Sequence, residues 1–291
     1  TDDVSINKLV KEIEPDYLIN FAANSFVGCS WDMPLQVFDV NTLGVIRCLE
    51  AIRKFKPECR FYSAGSSEEL GDVDYSPQDI KHPIKPRSPY GASKAAARHI
   101  VKVYRESYNL FAIHSILFNH EGPTRGENFV TRKITMGIAE IIAKKRKKIY
   151  LGNLEAKRDW GHAKDYVRVM WMILQAKKPE DWVIATGKTT SVRDFVKMSF
   201  NFIGIKLKFE GTKLNEKGYV ISCSNPKYQL PIGKEVVSVD EKYFRPTEVD
   251  LLVGDSSKAN SKLGWKPKYN LKNLVDEMMD SDLKLMLKDK H

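Results

Sequence analysis

Apolar residues at Ile6, Leu9, Val10 and Ile13 recur at helical spacing and stop at Pro15, which predicts a first helix. Asp16-Tyr17-Leu18-Ile19-Asn20-Phe21-Ala22-Ala23 then runs from apolar into small and polar residues, as a buried parallel strand does when its C-terminal end carries a loop site. A long helix is predicted through Val40, Leu43, Val45, Ile46, Leu49 and Ile52, followed by a strand at Arg60-Phe61-Tyr62-Ser63. A helix from about Tyr90 through Val101 and a strand from Ala112 to Phe118 continue the alternation. Strands that alternate with helices imply an α/β fold with a doubly wound parallel sheet.

After Gly122-Pro123 the pattern loosens. A helix from Ile134 to Lys145, the turn Leu151-Gly152-Asn153 and the charged-aromatic run from Lys157 to His162 precede a helix from Val167 to Leu174 and a strand at Trp182-Val183-Ile184-Ala185. Beyond Gly187, short helices and loops are expected, with an amphipathic helix from Leu271 to the end. The expected division is one domain of residues 1–122 with 162–187 and a smaller α/β lobe of residues 123–161 with 188–291.

Composition narrows the function. With 42% hydrophobic and 29% charged residues the chain reads as an ordinary globular protein, and 47 basic against 37 acidic residues give a net charge of +10. That excess suits nucleic acid, a membrane surface or a phosphorylated small molecule. The densest run, Lys144-Lys145-Arg146-Lys147-Lys148, follows an apolar helical stretch and contains no aromatic residue, so it reads as a solvated helix end and not as a nucleic-acid site. Cys29, Cys48, Cys59 and Cys223 form no Cys-x-x-Cys pair and have no partnering histidines. A reduced cytoplasmic protein without a metal site is expected, with no membrane segment and no signal peptide.

The candidate chemistry centres on Arg87-Ser88-Pro89-Tyr90-Gly91-Ala92-Ser93-Lys94. Residues four apart on a helix are stacked neighbours, so the Lys94 ammonium sits near the Tyr90 phenol and favours its phenolate. Such a tyrosine can act as a general base near neutral pH. Of the 12 tyrosines only Tyr90 has a lysine four residues on. The pair follows by about twenty residues the small-residue loop Ala64-Gly65-Ser66-Ser67-Glu68, which offers a hydroxyl and a carboxylate.

Four longer strings add a resemblance: LFNHEGPTRGENFVTRKI (Leu117 to Ile134), LGNLEAKRDWGHAKDYV (Leu151 to Val167), VIATG (Val183 to Gly187) and FRPTEVDLLVGD (Phe244 to Asp255). With the Tyr-x-x-x-Lys they make the chain resemble the extended short-chain dehydrogenase/reductases, and among these the GDP-mannose 4,6-dehydratases, over essentially its whole length. Ser66-Ser67-Glu68 stands where that family has Thr-Ser-Glu, which keeps the hydroxyl. The family also begins with a glycine-rich strand-turn-helix, and no Gly-x-x-Gly-x-x-Gly occurs before Asn20. The chain therefore reads as a Rossmann-like domain without its first strand-helix-strand unit, on the order of 30 residues or more.

The resemblance implies oxidation of the mannose at carbon 4 by NADP, loss of water across carbons 5 and 6, and return of the hydride to carbon 6. Tyr90 would be the base for the carbon-4 hydroxyl, with Lys94 lowering its pKa. Glu68, preferred over Glu69, would take the carbon-5 proton, and Ser66 would hydrogen-bond the carbon-4 oxygen. Phe21, Ala22, Ala23, Ser25, Tyr90, Lys94, His120 and Arg125 carry over as NADP contacts. Ser25, Asn119, Lys133, Leu151, Asn153, Arg158, Arg245 and Glu248 carry over to GDP-mannose, whose diphosphate suits arginine forks. A homo-oligomer, dimer or tetramer, is expected. Two other readings stand beside this one: a GDP-4-keto-6-deoxymannose reductase, which shares the Ser-Ser-Glu-Glu style of loop, and a non-catalytic nucleotide-sugar-binding remnant.

Overall fold

The computed structural model describes residues 1–244, 247, 249 and 251–288; the expectations for Arg245 and Glu248 lie outside the described residues. In chain order the first elements are α1 (Asp3–Ile13), β1 (Tyr17–Asn20), α2 (Pro34–Phe38), α3 (Gly44–Phe55), β2 (Arg60–Ala64), α4 (Pro89–Tyr108) and β3 (Ala112–Leu117). They are followed by β4 (Asn119–Glu121), α5 (Val130–Ile142), β5 (Ile149–Leu151), β6 (Lys157–Arg158), β7 (Trp160–His162), α6 (Ala163–Leu174) and β8 (Trp182–Ile184). The rest are β9 (Thr190–Ser191), α7 (Val192–Phe202), β10 (Ile205–Glu210), β11 (Lys217–Cys223), β12 (Glu235–Val239), α8 (Ser257–Leu263) and α9 (Leu271–Leu287). The chain divides into two units.

The first unit comprises Thr1–Asn119, Lys164–Lys188 and Leu252–Lys266. Its sheet runs β1-β2-β3-β8, all parallel, with Leu18 opposite Phe61, Phe61 opposite Ala112 and Ile116 opposite Val183. Successive strand residues point to opposite faces, and here both faces are covered. Phe61 packs with Leu49, Ile52, Ala97 and Val101, whereas Tyr62 packs with Ile113, Tyr166, Val169 and Trp265. That two-sided burial is what makes the sheet doubly wound, and β3 is buried along its whole length. The expectation of a buried strand at Asp16–Ala23 is corrected: β1 is shorter and pairs only with β2, so Tyr17 and Ile19 are 38% and 40% exposed.

The second unit comprises His120–Ala163, Thr189–Leu251 and Pro267–His291. Its sheet runs β10-β11-β12-β5, antiparallel except for the last pair, and its core gathers Ile138, Phe195, Phe200, Val220 and Met278. The expectation of short helices and loops beyond Gly187 is therefore corrected. Ile205-Lys206-Leu207-Lys208-Phe209 alternates apolar and charged residues at the strand period, and its lysines face out. The helix predicted to Lys145 ends at Ile142, and Lys144 turns through a positive φ of 62°. The basic run thus lies in a turn where Arg146 pairs with Glu140 at 2.6 Å and Lys148 with Glu235.

Candidate active site

Ser88 and Pro89 start α4. The Ser88 hydroxyl accepts the Gly91 N–H at 2.9 Å, and Pro89 occupies the first turn, where its missing N–H costs nothing. The helix carries Tyr90 and Lys94 inward, each 7% exposed, with the Lys94 Nζ 6.0 Å from the centre of the Tyr90 ring. Lys94 donates to the Ala64 carbonyl, the last residue of β2, at 2.8 Å. Burial holds the Lys94 pKa down to about 8, against the opposing pull of the Glu69 carboxylate.

The loop after β2 meets this helix. A Cβ on Gly91 would lie 2.4 Å from the Glu68 carbonyl oxygen, so only glycine lets the first turn of α4 approach the loop this closely. The turn that carries Tyr90 is thereby packed on the Glu68 backbone. Ser66 begins the turn Ser67–Glu69: its hydroxyl accepts the Glu68 N–H at 3.3 Å, and its own N–H donates to Glu69 Oε1 at 2.7 Å. Glu69 also meets His114 Nε2 at 2.9 Å and has no exposed surface. Glu68, at 8%, is the glutamate of the two that reaches solvent.

The loop at the end of β1 is tied to α4 by residues that the sequence pattern did not single out. A π turn at Asp39–Leu43 joins α2 to α3 and points Asn41 and Thr42 inward. Asn41 Oδ1 accepts the Asn24 N–H at 2.8 Å, and Asn41 Nδ2 donates to Ser93 Oγ at 3.0 Å, beside Lys94. Ser25 and Ala22 are exposed, Ala23 is half-buried, and Phe21, 57% exposed, lies edge-on to Tyr62 at 6.4 Å. The amide of Asn41 within an apolar helical stretch was the available signal. Asn119, at the end of this unit, has a buried side-chain oxygen without a hydrogen-bond partner.

The remaining expected residues belong to the second unit. His120 is half-buried, and Arg125 is engaged: its Nε pairs with Glu121 at 2.9 Å and its guanidinium stacks on Phe129 at 3.5 Å. Burial raises the pKa of Glu121, while Arg125 and a 2.7 Å bond from Thr131 favour its anion. Lys133 Nζ sits 3.8 Å above the Tyr243 ring, and its pKa is lowered by burial and by the charges of Lys242 and Arg146. Leu151 ends β5, and its carbonyl accepts the Asp240 N–H at 2.9 Å, which anchors the turn that brings Tyr243 over Lys133. Asn153 turns its oxygen onto the Glu155 N–H at 2.9 Å, and Arg158 is 7% exposed on β6.

A parallel sheet wound on both faces, with a Tyr–Lys pair on a helix packed against the loop of the neighbouring strand, is the arrangement of a Rossmann-fold dehydrogenase/reductase. The family model for GDP-mannose 4,6 dehydratase matches residues 1–278, and the chain belongs to that family. A GDP-mannose 4,6-dehydratase of Vibrio cholerae is 47% identical over 288 residues, 98% of this chain and 77% of the relative. The Homo sapiens GDP-mannose 4,6 dehydratase is also 47% identical over 288 residues, 98% of this chain and 75% of the relative. Among solved structures, RMD from Pseudomonas aeruginosa complexed with NADPH superposes with a TM-score of 0.81 at 18% identity, over 98% of this chain and 86% of the other. A dTDP-glucose 4,6-dehydratase from Bacillus anthracis in complex with NAD gives 0.75 at 19% identity, over 99% and 78%. At those identities the structures share the fold.

Proposed function

We propose that this protein removes water from GDP-mannose to give GDP-4-keto-6-deoxymannose, a lyase reaction that uses bound NADP without net consumption. The observation that supports the proposal most is the close approach of Gly91 to the Glu68 carbonyl, which packs the helix turn carrying Tyr90 against the loop carrying Glu68. The residues fit a nicotinamide cofactor. Lys94 uses one of its three hydrogens on Ala64 and keeps others for a ribose hydroxyl and the Tyr90 oxygen. Phe21, Ala22, Ala23 and Ser25, beyond the end of β1, would line the cofactor, with His120 and Arg125 as further contacts. When bound, the cofactor supplies a reversible two-electron oxidation at carbon 4.

The protein's own residues do the proton chemistry. Tyr90 takes the proton of the carbon-4 hydroxyl, and the Lys94 charge favours the phenolate that this requires. Ser66 hydrogen-bonds the carbon-4 oxygen as it becomes a carbonyl. That carbonyl acidifies carbon 5, and Glu68 removes its proton before water leaves from carbon 6. Lys133, Asn153 and Arg158 would hold the diphosphate and nucleoside, together with Asn119, Leu151, Arg245 and Glu248. Preference for NADP, a cytoplasmic location and a dimer or tetramer complete the reading; exposed Leu43, Val103 and Tyr108 are consistent with self-association. Among the described residues no helix is long and apolar enough to cross a membrane. The test is incubation of the full-length protein with GDP-mannose. A product one water lighter, without loss of NADPH, is expected; turnover only of a 4-keto sugar with stoichiometric NADPH loss would contradict it.

A further inference from the structure

Behind the Ser66 loop lies a buried pair that the proposed chemistry does not use. Glu69 and His114 are both fully buried, and the His114 Nε2 meets Glu69 Oε1 at 2.9 Å. The same carboxylate oxygen accepts the Ser66 N–H at 2.7 Å, so one atom ties the first residue of the turn to the middle of β3. On its other side His114 Nδ1 lies 3.1 Å from the Ser63 hydroxyl on β2. Gly65 leaves room for the pair: a Cβ there would fall 2.2 Å from His114 Nε2 and 2.5 Å from Glu69 Oε1. A buried carboxylate is costly unless it is paired and hydrogen-bonded, and here only Oε1 is held while Oε2 has no hydrogen-bond partner.

We propose that Glu69 and His114 form a positioning pair for the reaction: the carboxylate fixes the turn that carries Ser66 and Glu68 and sets the charge felt by Lys94. Glu69 is thereby set apart from the carbon-5 base, because its Oε1 is committed to Ser66 and His114 and the whole carboxylate, the unpartnered Oε2 included, has no exposed surface. Charged groups that interact with the pair include Lys94 from α4 and Asp181 before β8, the latter bracketed by Arg98 at 3.3 Å and Arg105 at 2.9 Å. The Glu69 carboxylate opposes the desolvation that pulls the Lys94 pKa down to about 8. Removing the anion leaves Lys94 with desolvation alone, so its ammonium is lost at lower pH.

This inference rests on reading Tyr90 and Lys94 as the acid-base pair, and the two can fail separately. Glu69→Gln keeps an oxygen to accept from Ser66 and His114 and removes only the charge. In full-length protein without substrate, NMR titration of isotope-labelled lysine should show Lys94 deprotonating at lower pH in Glu69→Gln than in the wild type. The alkaline limb of kcat with GDP-mannose and NADP should move to lower pH with it, because the ammonium fraction falls about tenfold per pH unit once the pKa is passed. Glu69→Leu removes the acceptor as well, so kcat should fall at every pH while KM changes less. An unmoved Lys94 titration in Glu69→Gln, or wild-type kcat in Glu69→Leu, overturns the proposal. A moved titration without GDP-mannose turnover would keep the pair and overturn the assigned reaction.

Discussion

At the end of β2, Glu69 Oε1 accepts the Ser66 N–H and meets His114, and Lys94 donates to the Ala64 carbonyl, while Glu69 Oε2 is buried without a hydrogen-bond partner. Beside β5, Lys133 and Lys242 stand over the Tyr243 ring at 3.8 and 4.9 Å, and burial with mutual repulsion lowers the Lys133 pKa. The first region is tied together by hydrogen bonds within the fold. The second holds cations close to one another on aromatic faces, an arrangement that an anionic ligand would relieve. Under the proposed function the difference separates two jobs: the first region would carry the proton transfer, and the second would gain most when phosphate arrives. Substitutions in the first should therefore act on kcat, and those in the second on KM.

The largest effect is expected from Tyr90→Phe, which removes the base while keeping the ring. Turnover of GDP-mannose should fall on the order of 10³-fold, within the range for loss of a general base, with KM little changed. Retention of more than a tenth of the activity would break the assignment of chemistry to this region. Gly91→Ala comes next. Its Cβ would press on the Glu68 carbonyl, so loop and helix must separate, lowering kcat by about a hundredfold and stability by about 1–3 kcal/mol. Steady-state kinetics and thermal unfolding check both, and normal kcat would show that the contact does not matter to catalysis.

In the second region, Lys133→Met should raise the KM for GDP-mannose by about 10- to 100-fold, the scale of a lost charged hydrogen bond, with kcat within a few-fold of the wild type. A fall in kcat alone would erase the contrast between the regions. Tyr243→Leu is the finest probe. It removes the ring beneath Lys133 and leaves the cation, so KM should rise only a few-fold, in line with about 0.5–1 kcal/mol for an exposed cation–π contact. Calorimetry with GDP alone should show the same small loss.

Much of this contrast was legible in the chain. Strand-helix alternation and the placement of Tyr90, Lys94, Ser66 and Glu68 follow from local signals: a Ser-Pro helix start, an i, i+4 pair and small residues after an apolar run. What was not legible depends on contacts distant in sequence. His114 sits in an apolar strand and reads as core until Glu69, 45 residues earlier, is seen to meet it. Asn41 reads as a helix interruption until Ser93 and Asn24 are found on either side. In the antiparallel sheet of the second unit, β10 carries lysines at every other position, so its apolar content is low although its period is clear.

The account stands most directly on the division of work between Tyr90 and Glu68. Glu68→Gln retains the base for the carbon-4 hydroxyl and loses the one for the carbon-5 proton. After full-length Glu68→Gln protein is mixed with GDP-mannose and NADP, absorbance of the reduced nicotinamide should rise and persist, with little dehydrated product; Tyr90→Phe should show neither. If Glu68→Gln dehydrates GDP-mannose at the wild-type rate, or if Glu69→Gln is instead the variant in which reduced nicotinamide accumulates, the assignment of roles in the loop is contradicted.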